Sequence, residues 1–167
     1  LLELMFAREG GEAVDEAKLD EAIDRATAHL IERQKQAGIT VINDGEMSKP
    51  SYATYIKHRL SGFGGEAGQY EFQDLEEFPG AKAQVFGNKG RAKRSAPACT
   101  APIEVSDMDA PREDAERLQR LAGGHETFMS AASPGVTALF FPNRYYPDDE
   151  AYVFALAEGL RHEYETI

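Results

Sequence analysis

Residues 39–46 read Ile-Thr-Val-Ile-Asn-Asp-Gly-Glu, the pattern of a strand that runs into a polar loop in an α/β fold. Its first four residues are all β-branched and place apolar side chains on both faces, which is typical of a buried parallel strand. Two carboxylates, Asp44 and Glu46, follow directly. Since active sites of α/β folds lie at the carboxyl ends of their strands, the stretch predicts a strand that leads into a ligand-binding loop.

A helix precedes this strand. Apolar residues recur on one face between Asp15 and Ala37, with Asp15 as the N-cap and Gly38 as the stop signal. Further helices are predicted at about 50–60, 111–122, 134–140 and 148–167, and further strands at 96–105 and 127–132. The alternation of strand and helix indicates an α/β fold with parallel strands, either a (β/α) barrel or a doubly wound sheet.

Residues 62–95 interrupt this alternation. Seven glycines lie among aromatic residues here, which predicts a long irregular excursion with a short hairpin. The chain begins with Leu1 rather than Met and stops at Ile167 inside a helix, so we expect a piece of a longer protein. A complete barrel needs ~250 residues, so the barrel interpretation requires residues outside this chain.

Composition narrows the class of protein. The formal net charge of −11 argues against a nucleic-acid partner, and no apolar run is long enough for a membrane span. A single cysteine, Cys99, fits a reducing compartment, so a cytoplasmic protein that acts on small molecules is expected. The four histidines are scattered without metal-ligand spacing, and Cys99 is expected in the core.

Several side chains are candidates for ligand contact. Asp44 and Glu46 suit an ammonium group, a metal ion or a proton transfer; alternatively Asp44 caps a turn and Glu46 is solvated. Tyr52 and Tyr55, three residues apart, are able to wall a pocket; alternatively their helix packs on the strands and turns a basic outer face, which includes Arg59, to solvent.

Later loops add weaker candidates. The turn that begins at Ser133 follows a strand and opens a helix, so its amides are placed to line a site. Asn143 belongs to a polar aromatic loop before the last helix. The basic run 88–94 is either a solvated loop or a site for the anionic tail of a substrate.

Two separated motifs resemble one enzyme family. Residues 33–46 and their continuation to residue 63 are similar to the helix–strand–Gly-Glu signature of the cobalamin-independent methionine synthase catalytic domain. Residues 128–136, Phe-Met-Ser-Ala-Ala-Ser-Pro-Gly-Val, resemble the Gly-Pro turn after the fourth strand of that family. The match from 128 to 146 and the last helix is similar to the short, single-domain bacterial branch. The resemblance covers nearly the whole chain and is weakest in 65–95.

The resemblance implies a fold and a reaction. The fold is a (β/α)8 TIM barrel of the methionine synthase and uroporphyrinogen decarboxylase superfamily, with residues 1–167 as the front half of one domain. The activity is that of a 5-methyltetrahydropteroyltriglutamate–homocysteine S-methyltransferase, in which a zinc-bound homocysteine thiolate attacks the methyl group of a methyltetrahydrofolate. The family's zinc ligands come from later strands, beyond Ile167, and a substrate-binding Ser would precede Leu1. We therefore expect no metal ligand, no bound zinc and no activity in this chain alone.

The resemblance also assigns roles to residues. The family's glutamate that holds the ammonium group of the amino acid corresponds to Glu46, whereas the best-known members have a different residue at Asp44. The expected substrate-binding residues are Glu46, Asp44, Ser133, Tyr52 and Asn143, and the expected partners are a small thiol and a methyl donor. Two alternatives stay open: a transferase that uses another thiol such as coenzyme M, and a non-catalytic half barrel that pairs with another copy.

Overall fold

The computed structural model describes residues 1–65, 67, 73–87 and 97–167. The α-helices are α1 (Leu2–Glu9), α2 (Glu16–Gln36), α3 (Pro79–Gly87), α4 (Ala110–Ala122), α5 (Pro134–Phe140) and α6 (Asp149–Thr166). Short 3₁₀ turns span Thr54–His58 and Gln73–Leu75. The strands are β1 (Val41–Ile42), β2 (Phe63–Gly64), β3 (Ala98–Cys99) and β4 (Glu126–Thr127). The chain is therefore a mixed α/β structure, as its sequence predicts.

Strands β1 and β4 lie side by side and run parallel, as predicted. Ile42 pairs with Thr127, and the amide of Phe128 donates to the carbonyl of Ile42 at 3.0 Å. Helices α2 and α4 pack together beside this pair and bury Ile42 completely. Val41 is 36% exposed, so the expectation that β1 is buried on both faces is wrong for this residue.

Strands β2 and β3 pair antiparallel, which corrects the prediction that all strands are parallel. The predicted strand 96–105 shrinks to two residues in the described part of the chain. Beyond β3, Gly62 approaches the carbonyl of Pro102 so closely that a Cβ at Gly62 would lie 2.5 Å from it. The partner of β2 lies outside 62–95, so the hairpin predicted within that range is not formed by β2. Residues 66, 68–72 and 88–96, which include the basic run, lie outside the described residues.

Helix α2 begins at its predicted N-cap, Asp15, and two further helices have a side-chain cap of the same kind. Asp15, Ser133 and Asp148 each accept a hydrogen bond from a backbone amide in the first turn of α2, α5 and α6. Helix α4 ends at Gly123 in the left-handed region, with φ of +63°. The helix predicted at 50–60 is only a 3₁₀ turn. It stops because the carbonyl of Arg59 accepts the amide of Ser106 and the next residue bridges an antiparallel partner.

The largest apolar cluster lies where α5 and α6 cover the 3₁₀ turn and β3. Its buried members are Tyr55, Ile56, Leu60, Cys99, Ala132, Phe141, Tyr152, Leu156 and Leu160. Cys99 is fully buried, as expected for a core residue. Within the described residues, no helix is both long and apolar enough to cross a membrane.

Candidate functional site

The turn that follows β1 has an unusual backbone. Gly45 and Glu46 both have positive φ, of +62° and +56°. A glutamate in the left-handed region is uncommon, because its Cβ crowds the backbone. The side chains of Asn43 and Asp44 stabilise the turn by accepting the amides of Gly45 and Glu46 at 2.8 and 3.1 Å. Asp44 thus has the turn-capping role that the sequence left open.

The carboxylates of Asp44 and Glu46 both belong to this turn. Asp44 is 6% exposed and Glu46 is half-buried. Within the described part of the chain, neither carboxylate forms an ion pair, and the carboxylate of Glu46 makes no hydrogen bond. Buried carboxylates are usually paired with a positive charge, which makes this turn a candidate site for a cationic group.

The parallel pairing brings a second loop to the same edge. Residues 128–133 follow β4 as residues 43–49 follow β1. The two loops are in direct contact, as the hydrogen bond of 2.6 Å from the Nζ of Lys49 to the carbonyl of Ser130 shows. The predicted location of a site at the carboxyl ends of the strands therefore corresponds to two loops that meet in space.

The other predicted residues have local roles in the structure. Ser133 is exposed, and its Oγ accepts the amide of Val136 at 3.1 Å as the N-cap of α5. Tyr52 is 58% exposed and meets the ring of Phe140 edge-on, with centroids 5.8 Å apart. Asn143 uses its side chain to hold the loop before α6, through hydrogen bonds with the backbone of residues 145, 146 and 148. Among the described residues, no hydrogen bond or ion pair joins these side chains to Glu46.

Tyr52 and Tyr55 do not line a common wall. Tyr55 is 3% exposed and belongs to the largest apolar cluster, whereas Tyr52 precedes the 3₁₀ turn that begins at Thr54. Arg59 is also buried, at 8% exposure, and its guanidinium lies 2.7 Å from the carboxylate of Asp114. The predicted basic outer face is therefore wrong for Arg59.

Sequence reasoning missed a buried polar cluster beside the two loops, which we call the anchor cluster and define as Lys49, Tyr55 and Glu163. The hydroxyl of Tyr55 donates to Glu163 at 2.7 Å, and the Nζ of Lys49 lies 3.8 Å from the same carboxylate and 4.7 Å from the centre of the Tyr55 ring. Burial, followed by the charge of Glu163, raises the pKa of Tyr55 far above its usual range. The hydroxyl therefore stays protonated and remains a donor at neutral pH.

A cleft of about 380 Å³ lies between α2, α4 and the 3₁₀ turn. Its walls include Lys49, Arg59, Asp114 and Arg117. These charges already have partners: Arg117 bridges Asp20, Asp24 and Asp114, and Arg59 shares Asp114. The cleft is therefore lined in part by side chains that already form ion pairs within the chain.

The described residues do not provide a metal site. No three His, Cys, Asp or Glu side chains among them come together as a set of ligands. The zinc that the resemblance implies therefore has no fitting donor set in this part of the chain.

The structure is similar to a solved enzyme. A B12-independent methionine synthase from Shewanella sp. W3-18-1, in complex with selenomethionine, superposes with a TM-score of 0.71 at 17% sequence identity. The superposition covers 92% of this chain and 40% of that enzyme. No protein-family model and no curated protein matches the sequence.

This likeness concerns the fold. At 17% identity it shows a shared arrangement of helices and strands, and this chain spans 40% of the synthase's length.

Proposed function

We propose that this chain is the front part of a (β/α)8 barrel that transfers a methyl group to the thiol of an amino acid, with homocysteine as the acceptor. The observation behind this proposal is the turn of residues 43–49 at the end of β1, which we call the carboxylate turn. Among the described residues, neither Asp44 nor Glu46 has a cationic partner. The ammonium group of an amino acid would supply the missing positive charge. The likeness to a methionine synthase supports the choice of reaction.

Each carboxylate has its own part in this proposal. Glu46 is half-buried and its carboxylate has no hydrogen bond within the described residues, so it binds the ammonium directly. Asp44 is buried and accepts the amide of Glu46, so it shapes the turn and adds negative potential. Ser133, Tyr52 and Asn143 would bound the site from the neighbouring loop and helix.

Zinc enters the proposal only through residues outside this chain. In the full-length protein it would hold the thiol as a thiolate near neutral pH. Metal analysis of purified full-length protein tests this part separately, and we expect one zinc per chain. A full-length protein without zinc would remove the metal from the proposal and leave ammonium binding to be tested by itself.

The coenzyme M alternative is disfavoured by the same turn. Coenzyme M carries a sulfonate and no ammonium group, so two carboxylates without a cation would repel it. Stronger binding of coenzyme M than of homocysteine would reverse this preference.

The test compares two thiols in the full-length protein. Isothermal titration calorimetry measures the Kd of L-homocysteine and of 4-mercaptobutanoate, which lacks the amino group. We expect Glu46→Gln to raise the Kd of L-homocysteine ~10- to 100-fold, since hydrogen bonds to charged groups contribute about 1.5–3 kcal/mol. The Kd of 4-mercaptobutanoate should stay unchanged. Equal affinity of the unmodified protein for both thiols would refute an ammonium site.

A further inference from the structure

Lys49 is buried although it carries a charge. Its side chain is 2% exposed, and its Nζ lies 2.6 Å from the carbonyl of Ser130 and 3.8 Å from Glu163. The removal of an ammonium group from water costs several kcal/mol unless partners replace the water. The partners here come from the loop after β4 and from α6, so the lysine connects segments that are distant in the sequence.

The anchor cluster holds the loop after β4 at two points. Ser130 accepts from Lys49, and two residues later the amide of Ala132 donates to the hydroxyl of Tyr55 at 3.1 Å. The hydroxyl of Tyr164 in turn donates to the carbonyl of Ala132 at 2.5 Å. The backbone of this loop is therefore fixed from both sides, which makes Ser130 a firm support for Lys49.

Lys49 also closes the carboxylate turn. The backbone amide of Lys49 donates to the carbonyl of Glu46 at 2.9 Å, so Lys49 is the last residue of the turn. Its buried side chain therefore fixes the end of the turn through its bond to Ser130. Asn43 and Asp44 fix the start of the turn. The left-handed conformation of Glu46 is strained for a residue with a Cβ, and such a conformation persists only when its surroundings determine it.

We propose that Lys49 is a positioning residue that sets the direction of the Glu46 carboxylate toward the ammonium group of the substrate. It acts through the backbone of the turn and does not touch the ligand. This inference rests on the proposed function. Loss of the Lys49 side chain releases the turn, and the protein then loses its preference for a thiol that carries an amino group.

The measured quantity is the ratio of the Kd of 4-mercaptobutanoate to the Kd of L-homocysteine in the full-length protein. We expect Lys49→Met to lower this ratio about tenfold, the equivalent of 1.4 kcal/mol. Lys49→Arg keeps a cationic donor in reach of Ser130 and should retain most of the ratio. A general loss of stability does not change a ratio of two affinities measured on the same folded variant.

Arg59→Met is the matched control. Arg59 is another buried cation on the ring of Tyr55, 5.6 Å from its centre, but it pairs with Asp114 on α4 and does not hold the carboxylate turn. This variant should be less stable than the unmodified protein and should keep the full ratio.

The outcomes separate the two proposals. If the unmodified protein shows no preference for the amino group, the proposed function fails and this inference falls with it. If Glu46→Gln abolishes the preference while Lys49→Met keeps it, only the positioning role is refuted. An equal fall of the Kd ratio in Arg59→Met also refutes the positioning role, because the effect is then not specific to Lys49. Should Lys49→Met not fold, Glu163→Gln weakens the same anchor, and an unchanged ratio in that variant counts against the inference.

Discussion

Gly45 occupies a position where the backbone conformation favours glycine and where a Cβ would displace the side chain of Leu30. Its φ is +62°, and a Cβ at this residue would lie 2.0 Å from the Cδ2 of Leu30 on α2. The turn that carries the two carboxylates therefore packs directly on the helix behind it. The neighbouring Glu46 has the same backbone conformation without the conformational freedom of glycine.

Gly45→Ala and Gly123→Ala form a matched pair. Gly123 has φ of +63°, but no atom lies within 4 Å of a Cβ there. We expect Gly123→Ala to lower the free energy of unfolding by about 1 kcal/mol through backbone strain. Gly45→Ala should cost at least about 1 kcal/mol more, since Leu30 must also move. Urea unfolding measures the free energy of unfolding of both variants. Equal decreases in the two variants would show that the side chain of Leu30 moves aside without an energetic cost.

Among the contacts between elements, the carboxylate of Glu9 at the end of α1 binds two residues of the 3₁₀ turn Thr54–His58. Glu9 lies 2.9 Å from the Nζ of Lys57 and 2.7 Å from the Nε2 of His58. Burial acts to raise the pKa of Glu9, but hydrogen bonds from His58 and Lys57 prevail and lower it from 4.5 to about 2. The ionised form of Glu9 is therefore the one that the folded state favours.

This shift predicts a pH dependence of stability. Because the pKa of Glu9 is lower in the folded chain than in the unfolded chain, its contribution is complete above pH 4.5 and is lost as the pH falls toward about 2. Urea unfolding of the wild type and of Glu9→Gln should differ at pH 6 and converge over that range. A constant difference down to the lowest pH would contradict the assignment.

Helix ends were predictable from sequence, because a cap is a local interaction. Asp15, Ser133 and Asp148 each bond to an amide three residues ahead, and the sequence shows both partners at once. Strand lengths were not predictable in the same way. Phe63 and Cys99 are partners that lie far apart in the sequence, and a short apolar run contains no period that reveals the direction of its neighbour.

The candidate site was predictable in part for a similar reason. Asp44 and Glu46 follow an apolar strand, a pattern that can be seen within eight residues. Lys49 could not be identified as a buried residue, because lysine is rarely fully buried and its partners Ser130 and Glu163 are distant in the sequence. Charged residues in the core become visible only when the tertiary contacts are known.

At the scale of the whole molecule, the single cysteine reports on the core. Cys99 is fully buried within the largest apolar cluster, and burial raises the pKa of its thiol. Both effects suppress its reaction with thiol reagents, since the thiolate is the reactive form. The thiol becomes reactive only when β3 separates from α5 and α6.

We therefore expect Cys99 to react with an aromatic disulfide reagent only as fast as the chain unfolds. The chain has one cysteine, so the absorbance change reports this residue alone. Labelling should be negligible in native buffer and complete in urea, with a midpoint that matches the loss of helical circular dichroism. Rapid labelling in native buffer would show that β3 opens locally without global unfolding.

The distance along the chain between the carboxylate turn and its anchors has a consequence for protein synthesis. Lys49 and Ser130 are 81 residues apart, and Tyr55 and Glu163 are 108 apart. A ribosome that adds about 5–20 residues per second needs on the order of ten seconds to cover the longer interval. During that time the turn emerges without its supports, and the charged Lys49 stays in water. The speed of translation through the loop after β4 and then through α6 thus determines when Lys49 reaches its two distant partners, Ser130 and Glu163.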